Sequence, residues 1–283
     1  MPELPAVETV RRGLQARFVG RRIEGVEVGR ERTVRRTSRD ALVAGLTGAT
    51  ALVAERRGKY LILPLDTGDS LMIHLRMSGR VLVDPADKPR LAHTHVVLHL
   101  AGPADAPAEE LRFVDPRTFG EVVVFDPDNA AVEMPELTRL GVDPVADGLE
   151  RNQLARLMRG RARQMKALLL DQHVIAGIGN IYADEILHAA RIRHDRLSNS
   201  LRPAEIARLH AAIGDILTAA IDAGGSTLKD TQYVDIGGAG GWFQVSHRVY
   251  DRGGQPCLTC GKATIQQVTS GGRTTSFCPR CQK

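Results

Sequence analysis

Four cysteines, Cys257, Cys260, Cys278 and Cys281, close the chain in the pattern C-x2-C-x17-C-x2-C. A two-residue spacer lets one tight knuckle present two thiolates to the same ion, and two knuckles complete the tetrahedral set that zinc takes. Gly261 follows the first knuckle and Pro279 lies within the second. Two disulfides are the alternative use of these residues, but nothing at the N-terminus reads as a secretory leader, and disulfides belong to oxidising compartments. The pattern therefore predicts one structural Zn2+ with no open position, which organises a hairpin and does no chemistry. Thr264–Ser276 reads as two strands joined near Ser270–Gly272, with Arg273 at the turn. An exposed arginine on so small a hairpin suits a phosphate contact. Zinc ribbons also bind proteins, so this module alone leaves the partner open.

Charge narrows the choice. The 283 residues carry 38 Lys and Arg against 33 Asp and Glu, a net +5. Six of the basic residues lie in 240–283 against Asp251 alone, and six more lie in 151–170 with no acid. The first 40 residues hold ten arginines against six acids, whereas 101–150 hold twelve acids and three arginines. Separate basic segments around an acidic stretch suit a polyanion surface assembled from several parts of the chain. Ordinary solvated faces are the plainer reading of the same counts. At 43% hydrophobic, the composition excludes disorder and fibrous repeats. No apolar run reaches the roughly 20 residues that span a bilayer, so a soluble, cytoplasmic protein without a membrane partner is expected.

Hydrophobic periodicity divides the chain. Val7, Val10, Leu14 and Phe18 recur at helical spacing after Pro5. Short β-type runs at residues 23–28, 60–65, 71–75, 81–83, 96–100, 111–114 and 122–125 then alternate with Gly, Pro and Asp turns, which reads as an antiparallel sandwich. From Arg151 the pattern is helical, broken at 173–180 by Gly177 and Gly179. The expected organisation is a β-sandwich domain with an N-terminal helix over 1–130, a linker over 131–150, a helical domain over 151–244 and a zinc finger over 245–283. His93, His95 and His99 share one strand face, but no acidic partner for a second metal is evident in sequence.

The N-terminus offers covalent chemistry. A small penultimate residue permits removal of Met1, which leaves a secondary amine on Pro2 beside Glu3. An α-amino group titrates near 8, and a helix N-terminus lowers that further. Such an amine attacking a sugar C1′ gives an iminium, with Glu3 placed to move protons. Many unrelated proteins begin Met-Pro, so this start alone does not specify the chemistry; the rest of the chain must.

It does. Pro2-Glu3-Leu4-Pro5 with Val7-Glu8-Thr9 and Arg11-Arg12-Gly13 closely resembles the start of the formamidopyrimidine-DNA glycosylase family. So do Gly58-Lys59-Tyr60-Leu61, His74-Leu75 with Met77-Ser78-Gly79, residues 115–120 (DPRTFG) and 177–185 (GIGNIYADE), each in family order, with the four-cysteine finger last. The resemblance covers essentially the whole chain. It implies a monomeric bifunctional glycosylase and abasic-site lyase of bacterial base excision repair, nucleoid-associated, acting on oxidised purines in damaged double-stranded DNA. It further implies a helix–two-turn–helix domain after the sandwich. An oxidised-pyrimidine enzyme of the endonuclease VIII branch and a non-catalytic damage-binding protein are the alternatives.

By the same resemblance Pro2 is the Schiff-base nucleophile, Glu3 assists sugar opening, Lys59 moves a proton in β-elimination and Arg273 holds the phosphate that leaves in δ-elimination. Met77, Arg117 and Phe119 match the trio that fills the gap left by an everted base, a step that costs a few kcal/mol of stacking. Asn180, His74, Tyr250, His93 and Arg161 match DNA contacts, and Lys166 a basic residue near the lesion pocket. Residues 224–244 correspond to the loop over the everted base, whose glycines suit a mobile lid. Two positions depart from the pattern: Ala6 replaces a usual Glu, and Arg76 stands where Gly is usual, beside Met77, with the expectation that it alters the wedge or adds a phosphate contact.

Overall fold

The first helix, α1 (Leu4–Arg17), forms where Pro5 presets the first turn and Val7, Val10 and Leu14 line one fully buried stripe. It opens the first of two compact units, Met1–Arg139 with Ala223–Trp242; the second is Leu140–Asp222 with Phe243–Lys283. The computed structural model describes residues 2–102, 107–228 and 233–283.

In the first unit, strands β1 (Ile23–Val28), β2 (Glu55–Arg57), β3 (Tyr60–Pro64), β4 (Ser70–His74), β5 (Arg80–Pro85), β6 (Thr94–Leu100), β7 (Glu109–Val114) and β8 (Glu121–Phe125) make two antiparallel four-stranded sheets. Their orders are β1-β6-β7-β5 and β2-β3-β4-β8. Val81, Val83, Leu98, Leu111 and Phe113 of one sheet and Leu61, Leu63, Leu71, Ile73 and Val122 of the other share a single core, closed by α1 and by Leu42 and Leu46 of α2 (Arg39–Leu46). This is the expected sandwich, arranged by period-2 alternation. The acidic stretch after β8 coils into α3 (Ala130–Glu133) and α4 (Pro135–Thr138) about a fully buried Met134.

In the second unit, α5 (Arg151–Arg159), α6 (Met165–Leu169), α7 (Asn180–Ala190) and α8 (Pro203–Asp222) pack through buried residues such as Ile186, Leu187, Leu209 and Ile213. The break before α7 is braced by Gln172, whose Oε1 accepts from Gly177 N at 2.9 Å while its Nε2 donates to Ile178 O at 2.9 Å. The terminal hairpin pairs β9 (Gln266–Ser270) with β10 (Arg273–Phe277). Gly271 and Gly272 lie at φ of 56° and 73°, the left-handed pair that a two-residue hairpin turn requires. Among the described residues, no helix is long and apolar enough to cross a membrane.

Candidate nucleic-acid interface and catalytic residues

In the first unit, α1 places Pro2 and Glu3 at its N-terminal end, both buried. Glu8, one to two turns further along, ties that end to a hairpin. Its carboxylate accepts from Arg56 Nε at 3.1 Å, and Arg56 Nη1 donates to Gly58 O at 2.9 Å, holding the β2–β3 turn from which Lys59 rises. Burial alone would raise the Glu8 pKa, but hydrogen bonds from Arg11 and Arg56 override it and keep the carboxyl below its ordinary range. Lys59 is itself buried. Met1 and Lys229–Gln232, the latter within the expected loop 224–244, lie outside the described residues. The described parts of that loop are joined by a hydrogen bond from Gly241 N to Thr227 Oγ1 at 2.8 Å.

The three wedge residues come from two turns that meet. Met77 sits in the β4–β5 turn, Arg117 and Phe119 in the β7–β8 turn. Asp115, fully buried, accepts from Ser78 Oγ at 2.5 Å and from Gly120 N at 2.7 Å, and Arg117 N donates to Ser78 Oγ at 3.2 Å. A Cβ on Gly79 would lie 3.0 Å from Phe113 Cζ, and one on Gly120 only 2.4 Å from it, so both turns need glycine to seat on one ring. The Arg117 guanidinium stacks over the exposed Phe119 ring at 5.2 Å. His93 is exposed at φ 66°, and its carbonyl accepts from Asp115 N at 3.0 Å, which brings it to the same place. His74, by contrast, is buried: its Nδ1 accepts from Arg76 N at 2.9 Å, and burial, with Arg76 and Lys59 nearby, pushes its pKa well below the ordinary value. Burial among these cations disfavours the charged form of the ring.

Arg76 lies beside the wedge, as its place next to Met77 implies. At φ 51° it occupies the left-handed conformation where glycine is usual, and its side chain pairs with Glu121 at 2.7 Å.

The histidine group differs from the expectation. His99 does have acidic neighbours, Glu27 at 2.7 Å and Glu110 at 3.4 Å, contributed by β1 and β7. Arg90 binds both carboxylates at 2.7 Å and Arg112 takes Glu110 at 2.8 Å, so the group is an ion-pair network in which the carboxylates are already engaged.

In the second unit, Asn180 and Lys166 converge on one atom. Asn180 Nδ2 and Lys166 Nζ both donate to Thr274 O, at 3.1 and 3.0 Å, beside the exposed Arg273. Lys166 is 2% exposed and also contacts Asp184 at 2.7 Å and Thr275 Oγ1 at 2.8 Å. The structure thus turns Lys166 inward, as a strut between helices and hairpin. Burial lifts the Asp184 pKa to about 6, and Lys166 opposes that rise. Tyr250 is held by Glu185, a residue without an assigned role in the sequence reading, whose carboxylate accepts from Arg248, Val249 and Tyr250 N at 2.8 to 2.9 Å. Its only sequence signal was its place in the 177–185 motif. Arg161 is half-buried, its carbonyl accepting from Ser198 Oγ at 2.5 Å.

The four cysteine sulfurs lie within 4.8 Å of one another, with two pairs at 3.9 Å. A tetrahedral zinc with bonds of about 2.3 Å separates its sulfurs by about 3.8 Å, so the residues fit one structural ion. Beyond Val249 and Ile265, the core cluster of this finger consists of Cys257 and Cys278, two of the ligands.

Comparison with known proteins agrees along the whole chain. Residues 1–122 match the formamidopyrimidine-DNA glycosylase N-terminal domain, 140–232 the H2TH domain of the same family and 254–283 the zinc finger found in FPG and IleRS. The formamidopyrimidine-DNA glycosylase of Pelotomaculum thermopropionicum is 42% identical over 283 residues, covering 100% of this chain and 99% of that protein. That of a Nocardioides species is 42% identical over 100% of this chain and 94% of its own length. Lactococcus lactis Fpg bound to abasic-site DNA superposes with a TM-score of 0.88 at 35% identity, over 99% of each chain. The same protein on Fapy-dG DNA gives 0.88 at 36%, over 99% of this chain and 100% of the other. With matches to all three modules in order and full-length relatives at this identity, the chain belongs to the formamidopyrimidine-DNA glycosylase family.

Proposed function

We propose that this chain is a DNA glycosylase and abasic-site lyase that removes oxidised purines, 8-oxoguanine and formamidopyrimidines, from duplex DNA. The observation that carries the reading is the link Glu8–Arg56–Gly58, which fixes the helix end bearing Pro2 and Glu3 to the turn bearing Lys59. With Met1 removed, the Pro2 amine attacks C1′ of the everted nucleotide. The glycosidic bond breaks, and the base leaves with the bonding pair and a proton. Glu3 assists opening of the sugar, which leaves an iminium at C1′. Loss of a C2′ proton, with Lys59 as the base, expels the 3′ phosphate; loss of the C4′ proton then drives a second elimination that expels the 5′ phosphate, steadied by Arg273. Met77 and Phe119 take the place of the lost base in the stack, and Arg117 pairs with the orphaned partner. His93, His74, Arg161, Asn180, Tyr250 and the α7 N-terminus contact the DNA, with Lys166 supporting the hairpin that carries Arg273. The zinc enters no step: bound by Cys257, Cys260, Cys278 and Cys281, it fixes the hairpin.

The test is borohydride trapping on an 8-oxoguanine·cytosine duplex, after mass spectrometry of the N-terminus. An adduct that maps to Pro2 and vanishes in Pro2→Gly is expected. Absence of an adduct from processed protein, on this duplex and on an abasic one, leaves a damage-binding protein only. Stronger competition by a thymine glycol duplex than by 8-oxoguanine moves the substrate to oxidised pyrimidines.

A further inference from the structure

Glu121, the first residue of β8, is 2% exposed at its side chain and is gripped by three arginines. Arg35 Nη2 lies 2.5 Å from Oε1, Arg76 Nη2 lies 2.7 Å from the same oxygen, and Arg36 Nε lies 2.5 Å from Oε2. Two of these arginines reach the wedge turns. Arg76 directly precedes Met77. Arg35 also donates to Phe119 O at 3.4 Å and Gly120 O at 3.5 Å, while its neighbour Arg32 donates to Thr118 O at 3.2 Å. The arginines keep 27 to 38% of their side chains exposed, so they do not form a packed core; the carboxylate is the buried centre they share. Asp115 already joins the two turns through Ser78 and Gly120 on one side. Glu121 does so a second time, from the opposite end of the β7–β8 turn.

We propose that Glu121 is a positioning residue: through Arg76 and Arg35 it fixes the Met77 turn and the Phe119 turn relative to each other, so that both wedge residues enter the duplex as one preformed unit. Charge-assisted pairs of this geometry are short and directional, and a reacting assembly loses rate when its parts are free to shift by about 1 Å. The inference rests on the reading of Met77, Arg117 and Phe119 as the wedge. It makes a demand that general loss of stability does not: base eversion needs the wedge, whereas cleavage of a preformed abasic site, with no base to evict, needs it far less.

The experiment compares single-turnover excision of 8-oxoguanine with strand cleavage at a preformed abasic site, in the full-length zinc-loaded protein. Glu121→Gln keeps the shape and removes the charge. Arg76→Gly severs one arm only, at a φ that glycine adopts without strain, and guards against misfolding of the first variant. Both are expected to slow excision by about tenfold or more while abasic cleavage stays within about twofold. Equal loss in both reactions, or unchanged excision in both variants, overturns the clamp and leaves the wild-type chemistry intact. Wild-type protein that performs neither reaction instead overturns the functional reading beneath it.

Discussion

Two pairs of buried carboxylates, Glu8 and Glu121 in the first unit and Asp184 and Glu185 in the second, are held in opposite ways. Glu205 of the second unit, paired with Arg196 and Arg202 and lowered to about 2, follows the first pair. In the first, Glu8 and Glu121 sit among guanidinium groups, and both pKa values fall below the ordinary range although burial pulls them up. In the second, Asp184 faces a lysine and a backbone amide, Glu185 faces three amides, and burial prevails: Asp184 rises to about 6 and Glu185 rises as well. A guanidinium neutralises a carboxylate and keeps contact with water, while amide dipoles satisfy its lone pairs and leave the charge uncompensated. Guanidinium pairs therefore hold Glu8 and Glu121, as they do Glu205, whereas Asp184 and Glu185 rely largely on backbone donors and the zinc finger of the same unit on a metal.

Removing the metal is the largest perturbation this contrast predicts. The finger has little core of its own, so chelation or Cys278→Ser is expected to unfold 245–283, at a cost on the order of 10 kcal/mol of zinc-linked stability. Limited proteolysis would then cut within the finger and spare the sandwich, and binding to an abasic-site analogue would collapse. A chelated protein with an intact, DNA-binding finger breaks the contrast.

Next come the carboxylates themselves. Glu8→Gln removes the buried charge that Arg11 and Arg56, the latter 2% exposed at its side chain, both pair with, at a cost of about 3 kcal/mol. Glu185→Gln keeps one accepting oxygen but turns an NH2 towards amide donors, at about 2–3 kcal/mol. The pH dependence separates them further. A depressed carboxyl such as Glu8 contributes stability that is present above pH 4.5 and lost as pH falls below it. A raised one such as Asp184 acts in reverse, its contribution growing as pH falls from about 6 towards 4. Denaturant unfolding of wild type and Glu8→Gln at pH 7 and pH 4 checks the sign, since the gap between them narrows in acid.

Much of this was legible in the sequence, for reasons that are local. The cysteine spacing, the α1 stripe behind Pro5, the alternating strands and the glycine break before α7 are each written within a few residues. What was missed lies across strands. His99 meets Glu27 and Glu110 because β6 pairs with both β1 and β7. Arg76 reaches Glu121 because β4 and β8 place His74 opposite Glu121, and that register depends on the whole sheet. The family resemblance places Lys166 near the lesion pocket, and only the fold gives it Asp184 as an ion-pair partner.

Buried histidines test whether the contrast is confined to carboxylates. His74 in the first unit and His247 in the second are both 5% exposed, and burial depresses both pKa values, that of His247 to about 4. The cations Arg76 and Lys59 deepen the effect at His74, whereas Asp251 opposes it at His247. Here the units agree in sign, because no neighbour outweighs the cost of burying an imidazolium. For His247 the unfolded chain binds the proton first, so stability is full above pH 6.5 and is lost as pH falls towards 4. At pH 5 the loss is about 2 kcal/mol, and His247→Phe, which keeps the ring packing on Phe243 and Tyr250, is expected to remove it. The measurement is the stability difference between wild type and variant at pH 7 and pH 5. A difference independent of pH means that His247 titrates alike in the folded and unfolded chains and overturns the depressed pKa.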